Sequence, residues 1–410
     1  MRAPRTGRLA SLAVACLLTL AAAPPAADDA RYGAIVDAGS TGSRAAIFAW
    51  RRSPDGDPEV RPVAALEDRR LDGRRPCPVT DLARPGTDTC GCLVALVDGV
   101  RVLAVRALGD PAPPTIPLWL KATAGARREA PSVQAAILDA TDRCLAGRPG
   151  YDWRGAEVIS GAREGLYAWL AVNALARTLD AATVDATLGI VEIGGQSAQI
   201  AYRVSGPTSP PPPAGEILTV ALASRDVHVF AASDLLGKNA ALHRLGEAGA
   251  RACAADADPA RCARERIDPF VCSKAPWGRH CGGRPATLFP PRAMRFVGLS
   301  NVMYAVRNLG LGDDATLRDV QERADRLCGP GPARRERRRA VLDAVDPQYR
   351  AGVCFDALYA TRLAGFAWDV PLEHVRPPDP RWADDASWPL GAMLVEALRA
   401  AARTMGVGRP

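Results

Sequence analysis

Apolar and polar positions in this chain alternate in short, strongly punctuated blocks. Ala34 to Val36 is a continuous apolar run, and a second run, Ala45 to Phe48, follows only after Asp37, two glycines and three hydroxyl residues. Short apolar runs bounded by turn residues predict buried strands. The pair therefore predicts a hairpin whose tip is longer and more polar than a tight turn needs. The pattern returns at Ile190 to Ile193 and Ala198 to Ile200, which flank Gly194-Gly195-Gln196-Ser197. The two segments superpose without a gap, placing Glu192 under Asp37, Gly194 under Gly39 and Gln199 under Arg44. Such a repeat predicts two related domains facing each other across a cleft.

Other elements follow from the same patterning. Leu118 to Thr123 reads as a strand ending in the small-residue turn Ala124-Gly125-Ala126-Arg127. Val158 and Ile159 form a short strand that runs into a helix, on which Leu166, Trp169, Leu170 and Asn173 recur at helical spacing with Glu164 in the opening turn. Val227 to Phe230 is strand-like. Helical patterns occupy 93–108, 300–310, 315–345 and 355–366, and an amphipathic helix follows Trp388. Arg51 to Asp72 reads as a polar segment, Pro111 to Pro117 as a loop, and Pro210 to Pro213 as a surface loop in polyproline conformation.

Composition narrows the class. Of 410 residues, 48% are hydrophobic and 24% charged, ordinary for a globular protein long enough for two domains. Arg2, Arg5 and Arg8 precede an apolar run from Leu9 to Ala23 and small residues at Ala26-Ala27. That is the pattern of a cleaved signal peptide over 1–27, predicting a secreted or periplasmic protein. Cys16 lies inside the apolar run, against a lipid anchor. No other stretch approaches the roughly 20 apolar residues that cross a bilayer, so no stable membrane anchor is expected.

Ten of the 11 cysteines lie beyond the leader, and an even count in an exported chain favours disulfides. The expected local bridges are Cys77 with Cys90 or Cys92, Cys253–Cys262, Cys272–Cys281 and Cys328–Cys354. The four histidines give no zinc spacing. The formal charge of +7 falls to +4 without the leader arginines. The denser patch Arg334 to Arg339 reads as a solvated helix face, so no nucleic-acid partner is indicated and a small anionic substrate is compatible. The chain is read as a monomer.

The chemistry concentrates in the loops. Glycines allow close approach, amides and the Ser/Thr hydroxyls supply donors, and Arg44 supplies a fixed charge, which together suit a phosphate. Asp37, at a strand end, suits a metal ion or its water. Glu164 sits where a helix N-terminus favours its ionised form, as a general base requires. Ser233 to Asn239 is no Walker loop, because Ala232 stands where the first glycine is needed. No nucleophile elbow is present, which argues against a serine hydrolase.

Taken in order, Asp37 to Arg44, Ala122 to Arg127, Ser160 to Asn173, Glu192 to Gln199 and Trp388 to Leu394 resemble the five apyrase-conserved regions of the nucleoside triphosphate diphosphohydrolases. Phe296 to Ser300 and Cys354 to Tyr359 also look like that family. The resemblance implies an α/β fold of two actin-like (ribonuclease H fold) domains with the active site in the cleft between them. The boundaries expected are 28–157 plus 386–410 for the first domain and 158–385 for the second, with a disulfide-rich excursion near 253–281.

It further implies metal-dependent removal of terminal phosphate from nucleoside tri- or diphosphates, with Ca²⁺ or Mg²⁺ as cofactor. Glu164 would activate the attacking water with help from Ser197. Gly39, Ser40, Thr41, Gly42, Ser43 and Arg44 would bind one phosphate and Gly194, Gly195 and Gln196 the next, with Ala124, Gly125 and Arg127 as a third phosphate turn. Asp37, Thr123, Glu192 and Gln199 would hold a hydrated metal, and Tyr359 and Trp368 are the aromatics assigned to base stacking. The chain departs from the family pattern at Glu192, one methylene longer than the usual Asp, and at Gln196 and Ala198. An exopolyphosphatase-like phosphatase of the same superfamily is an alternative. So is a nucleotide-binding protein with little turnover. A sugar kinase of the same fold fits least.

Overall fold

The computed structural model describes residues 30–53, 57–71, 76–84, 86–109, 115–207, 215–222, 225–253, 258–274, 279–281 and 293–404. The expected leader at 1–27 and the polyproline loop at Pro210 to Pro213 lie outside these residues. Two mixed sheets organise the rest. The first has the order β3-β2-β1-β4-β5 and is built from β1 (Arg31–Ala38), β2 (Ser43–Arg52), β3 (Pro58–Glu67), β4 (Ile116–Ala122) and β5 (Tyr151–Val158). The second has the order β11-β10-β6-β7-β9-β8, from β6 (Gly189–Ile193), β7 (Ala198–Val204), β8 (Gly215–Ala221), β9 (Asp226–Asp234), β10 (Phe296–Ser300) and β11 (Val375–Arg376).

The sheets share one plan. In the first, β1 pairs antiparallel with β2, β2 with β3, and β1 parallel with β4, which pairs parallel with β5. In the second, β6, β7, β9, β10 and β11 repeat those relationships, with β8 added at the outer edge. The central strands are apolar because both of their faces are covered: Ala34, Ile35 and Val36, like Ile190 and Val191, are all buried. This duplicated α/β architecture agrees with the actin-like fold implied by the sequence.

The helices are α1 (Thr89–Leu108), α2 (Ala124–Arg127), α3 (Pro131–Leu145), α4 (Gly161–Leu175), α5 (Lys238–Ala252), α6 (Pro259–Cys262), α7 (Asp268–Lys274), α8 (Asn301–Asn308), α9 (Leu317–Leu327), α10 (Pro332–Leu342), α11 (Val353–Thr361) and α12 (Trp388–Thr404). Between the sheets, α4 packs on β6, β7 and β9 while α12 packs on β1, β2 and β3. The two helices close against each other over a core that takes Ile35 and Phe48 from one sheet and Ile190 and Val229 from the other. Their crossing is tight: a Cβ on Gly391 of α12 would lie 1.8 Å from the carbonyl oxygen of Tyr167 on α4.

Lys121, 1% exposed on β4, ties this layer together electrostatically. Its Nζ lies 2.6 Å from Glu157 Oε1 on β5 and 3.2 Å from Glu396 Oε1 on α12. Arg163 of α4 closes the network on Glu157 Oε2 at 2.6 Å. Glu157 is consequently held down at about 2: burial pushes it up, but hydrogen bonds from Arg163 and Lys121 and their charges outweigh that.

Two sequence expectations change. The segment 51–72 contains β3, an edge strand whose alternating exposure masks its pairing with β2. The helix expected over 315–345 is two helices, α9 and α10, separated by Gly329-Pro330-Gly331, in which Pro330 has no amide to donate and both glycines have positive φ. Five disulfides join Cys77–Cys92, Cys90–Cys144, Cys253–Cys262, Cys272–Cys281 and Cys328–Cys354. Cys144, unassigned from sequence, is the partner that leaves Cys92 for Cys77. Among the described residues no helix is long and apolar enough to cross a membrane.

Candidate active site

The repeat seen in the sequence is a repeat in geometry. In the first hairpin Asp37 sits opposite Arg44 and Ala38 opposite Ser43; in the second, Glu192 sits opposite Gln199 and Ile193 opposite Ala198. Each tip closes with the same hydrogen bond: Gly39 N donates to Gly42 O at 3.0 Å, and Gly194 N donates to Ser197 O at 2.9 Å. Turns of this kind gather successive amides on one side, as an anion requires.

Each loop is braced from behind. In the first, the buried Asp68 Oδ2 accepts Ser43 N at 2.5 Å and Cys77 N at 2.7 Å, while Ser43 Oγ donates to Cys77 O at 2.6 Å. In the second, the start of α5 takes up the loop carbonyls: Gly237 N donates to Gln196 O, Lys238 N to Gly194 O and Asn239 N to Gly195 O, at 3.1, 2.9 and 2.8 Å. Lys238 Nζ then donates to Asp356 Oδ2 of α11 at 2.6 Å, anchoring α5. With the carbonyls engaged, the amides of Gly195, Gln196 and Ser197 donate to no acceptor among the described residues. The same holds for Ser40 and Thr41 in the first loop.

The third turn lies beside the first loop. Ala124 and Gly125 are buried in α2, and a Cβ on Gly125 would lie 2.5 Å from Ser40 Cβ, so only glycine permits that approach. Thr123 is buried ahead of it and its amide donates to Ala38 O at 3.2 Å. From the end of α2, Arg127 reaches Ile159 O at 3.0 Å, Glu164 Oε2 at 2.8 Å and Ser197 Oγ at 3.4 Å. It thereby links the turn after β4 to the head of α4 and to the second loop. Arg128 makes a further link, donating to Gln196 Oε1 at 3.2 Å.

Glu164 is 7% exposed in the first turn of α4, which Ser160 caps through a bond accepted from Arg163 N. Burial raises its pKa, opposed by the charge and hydrogen bond of Arg127. Two more carboxylates share its field. Asp37 is pushed up to about 7, chiefly by burial, which Arg44 opposes and Glu164 and Glu67 reinforce. Glu192 is likewise pushed up to about 7 by burial and by Glu164, with Ser300 opposing. Ser197 Oγ accepts from Gln199 Nε2 at 2.8 Å as well as from Arg127, so its own proton is left to donate.

A divalent cation fits this donor set. Glu192 Oε2 is fully enclosed and has no hydrogen-bond partner, a state that costs free energy unless a cation or its water is supplied. Among the described residues no three His, Cys, Asp or Glu side chains lie close enough to hold one ion directly.

Some sequence expectations are redirected. Ser43 spends both amide and hydroxyl on its own brace and presents neither to a ligand. Arg44 is paired with Glu67. Tyr359 and Trp368 are 1% and 2% exposed in the core of the second sheet, and Tyr359 donates its hydroxyl to Leu236 O at 2.7 Å. Neither offers a ring face, so the stacking assignment is corrected. Tyr304, not among the expected site residues, is 49% exposed on α8 and near enough to Arg44 to act on it electrostatically. Its signal was available, since Val302, Met303, Ala305 and Val306 fill the buried face of that short helix and leave Tyr304 outside it. Glu67, Asp68, Lys238 and Asp356 gave no local signal.

Comparison with known proteins agrees with this picture. Residues 25–268 match the profile described as the GDA1/CD39 (nucleoside phosphatase) family. "Ectonucleoside triphosphate diphosphohydrolase 2" of Mus musculus is 28% identical over 214 residues, 50% of this chain and 41% of the mouse protein. "Probable apyrase 6" of Arabidopsis thaliana is 26% identical over 428 aligned positions, 89% of this chain and 72% of that protein. The chain thus spans about two fifths of the mouse relative. Among solved structures, the Aquifex aeolicus member of the Ppx/GppA family aligns with a TM-score of 0.52 at 15% identity, covering 90% of this chain and 99% of that one. That likeness is one of fold.

Proposed function

Because the chain belongs to the GDA1/CD39 (nucleoside phosphatase) family, we propose that it hydrolyses the terminal phosphate of nucleoside tri- or diphosphates in the cleft between its two sheets. The observation that carries this reading is the pair of loops closed by the same hydrogen bond, each with amides that donate to no acceptor among the described residues, with Glu164 tied by Arg127 beside them. One phosphate lies on the amides of Ser40 and Thr41, the next on those of Gly195, Gln196 and Ser197. Phosphoryl transfer demands mostly positioning and charge stabilisation, which such amides provide.

Glu164 is the base. Arg127 occupies Oε2, so Oε1 is the oxygen that takes a proton from the attacking water, and Ser197 orients that water or a phosphate oxygen through its free proton. Asp37 and Glu192, with Thr123 and Gln199, hold a hydrated Ca²⁺ or Mg²⁺. Bound there, the ion supplies charge neutralisation for the phosphate oxygens. Tyr304 replaces Tyr359 and Trp368 as the aromatic surface for the base. The domains divide near 158 and 386, where α4 and α12 begin, and the protein acts as a monomer. Five disulfides support an oxidising, extracytoplasmic compartment.

Product chromatography tests the reading. Protein from Asp28 onward, given ATP, ADP, GDP or polyphosphate with Ca²⁺ or Mg²⁺, should release phosphate from nucleotides. Glu164→Gln should slow release by about two to four powers of ten. Release from polyphosphate alone favours the phosphatase alternative, and nucleotide binding without release favours a binding protein.

A further inference from the structure

Ser300 spends local stability on one contact. It adopts φ 55° and ψ −121° at the junction of β10 and α8. This is the backbone of the first central residue in a type II′ turn, which glycine takes freely and serine does not. Serine is also a favoured helix cap, yet Ser300 makes no side-chain cap bond to α8. Its hydroxyl donates instead to Glu192 Oε1 at 3.0 Å. The next residue extends the same grip, with Asn301 Nδ2 donating to Ile193 O at 2.7 Å.

The duplicated plan supplies an internal control. In the second sheet β10 runs beside β6, with Leu299 opposite Glu192 and Ser300 opposite Ile193. In the first, β4 runs beside β1, with Lys121 opposite Asp37 and Ala122 opposite Ala38. Ala122 therefore holds the place of Ser300 and has no hydroxyl. Among the described residues no side chain donates to the short Asp37, whereas the longer, more flexible Glu192 receives the Ser300 hydroxyl. Ser300 takes one carboxylate oxygen, and the other, Oε2, is left enclosed and bare.

We propose that Ser300 is a positioning residue that fixes Glu192 so that Oε2 is presented to the hydrated divalent cation, which makes a glutamate serviceable where a shorter acid would need no support. This rests on the reading that Asp37 and Glu192 hold that cation. Groups that orient a metal ligand commonly affect affinity about 10- to 100-fold.

Thermal melting at increasing Ca²⁺, without nucleotide, tests it, since a ligand of the native state raises the melting point by mass action. Ser300→Gly relieves the backbone strain while removing the hydroxyl. The melting point in EDTA should hold or rise, while the half-saturating Ca²⁺ concentration should increase about tenfold. In a Glu192→Asp background, adding Ser300→Gly should leave the half-saturating Ca²⁺ concentration where Glu192→Asp alone puts it, because the tethered carboxylate is gone. A Ser300→Gly protein with wild-type Ca²⁺ dependence overturns the positioning role, as does full additivity in the double variant. A wild-type protein with no Ca²⁺ or Mg²⁺ dependence overturns the cation reading itself.

Discussion

Arg127 Nη2 lies 2.8 Å from Glu164 Oε2, so the carboxylate at the head of α4 is paired with a cation delivered from the turn after β4. The pair restrains a group that burial alone would drive strongly towards its neutral form. Removing the arginine leaves Glu164 easier to protonate. Arg127→Ala should therefore move the acid limb of the kcat/KM profile to higher pH and lower kcat about a hundredfold at neutral pH, by analogy with loss of one preorganised donor. An acid limb that stays in place would show that Arg127 does not tune Glu164.

Asp37 and Glu192 make a second, opposite demand. Their folded-state pKa values of about 7 stand above the ordinary 3.8 and 4.5, so the native state binds more protons than the unfolded one between those limits. The contribution of these two groups to stability is then fully present below about pH 4 and is lost as pH rises through about 7. In EDTA the melting temperature should fall across that window. A divalent cation at about 100 times its Kd should return about 2.7 kcal/mol, flattening the fall. Calorimetry with and without Ca²⁺ measures both.

Asp68 serves loop geometry without approaching the chemistry. Asp68→Ala strands the Ser43 and Cys77 amides, each costing about 1–3 kcal/mol when buried and unsatisfied. The urea midpoint should drop, and the KM for nucleotide should rise about tenfold, equivalent to ~1.4 kcal/mol of lost binding. Steady-state kinetics on the folded fraction would separate the KM effect from simple loss of protein.

Lys121 is the cation of the interior network. Lys121→Met leaves Glu396, 6% exposed, with Arg399 as its one cation among the described residues. Breaking a buried pair on one side costs about 3–5 kcal/mol. The double variant Lys121→Met, Glu396→Gln should recover a large part of that, and equilibrium denaturation of the three proteins measures the recovery.

Much of this site was legible because it is local and repeated. The segments 37–44 and 192–199 aligned without a gap, and the strand registers reproduce that alignment residue by residue. What escaped is non-local. Asp68 meets Ser43 across 25 residues, Lys238 meets Asp356 across 118, and Ser300 meets Glu192 across 108. No spacing rule reaches that far. Tyr359 and Trp368 erred for a different reason: an aromatic on a helix or its end reads alike whether it lines a cleft or fills a core. The break at Gly329-Pro330-Gly331 was visible and was overridden by the apolar periodicity on either side.

The close crossing at Gly391 also bears on how the two sheets are held together. Four of the bridged cysteines lie between residues 77 and 144 and six between 253 and 354, so none of these disulfides joins one sheet to the other. Where α12 meets the Tyr167 backbone there is no side chain on the glycine to interlock. The two helices therefore meet backbone to backbone at that point, and any side chain at 391 would push them apart. Away from that crossing, the turn after β4 is joined to the loop between β6 and β7 by side-chain hydrogen bonds alone, from Arg127 to Ser197 and from Arg128 to Gln196.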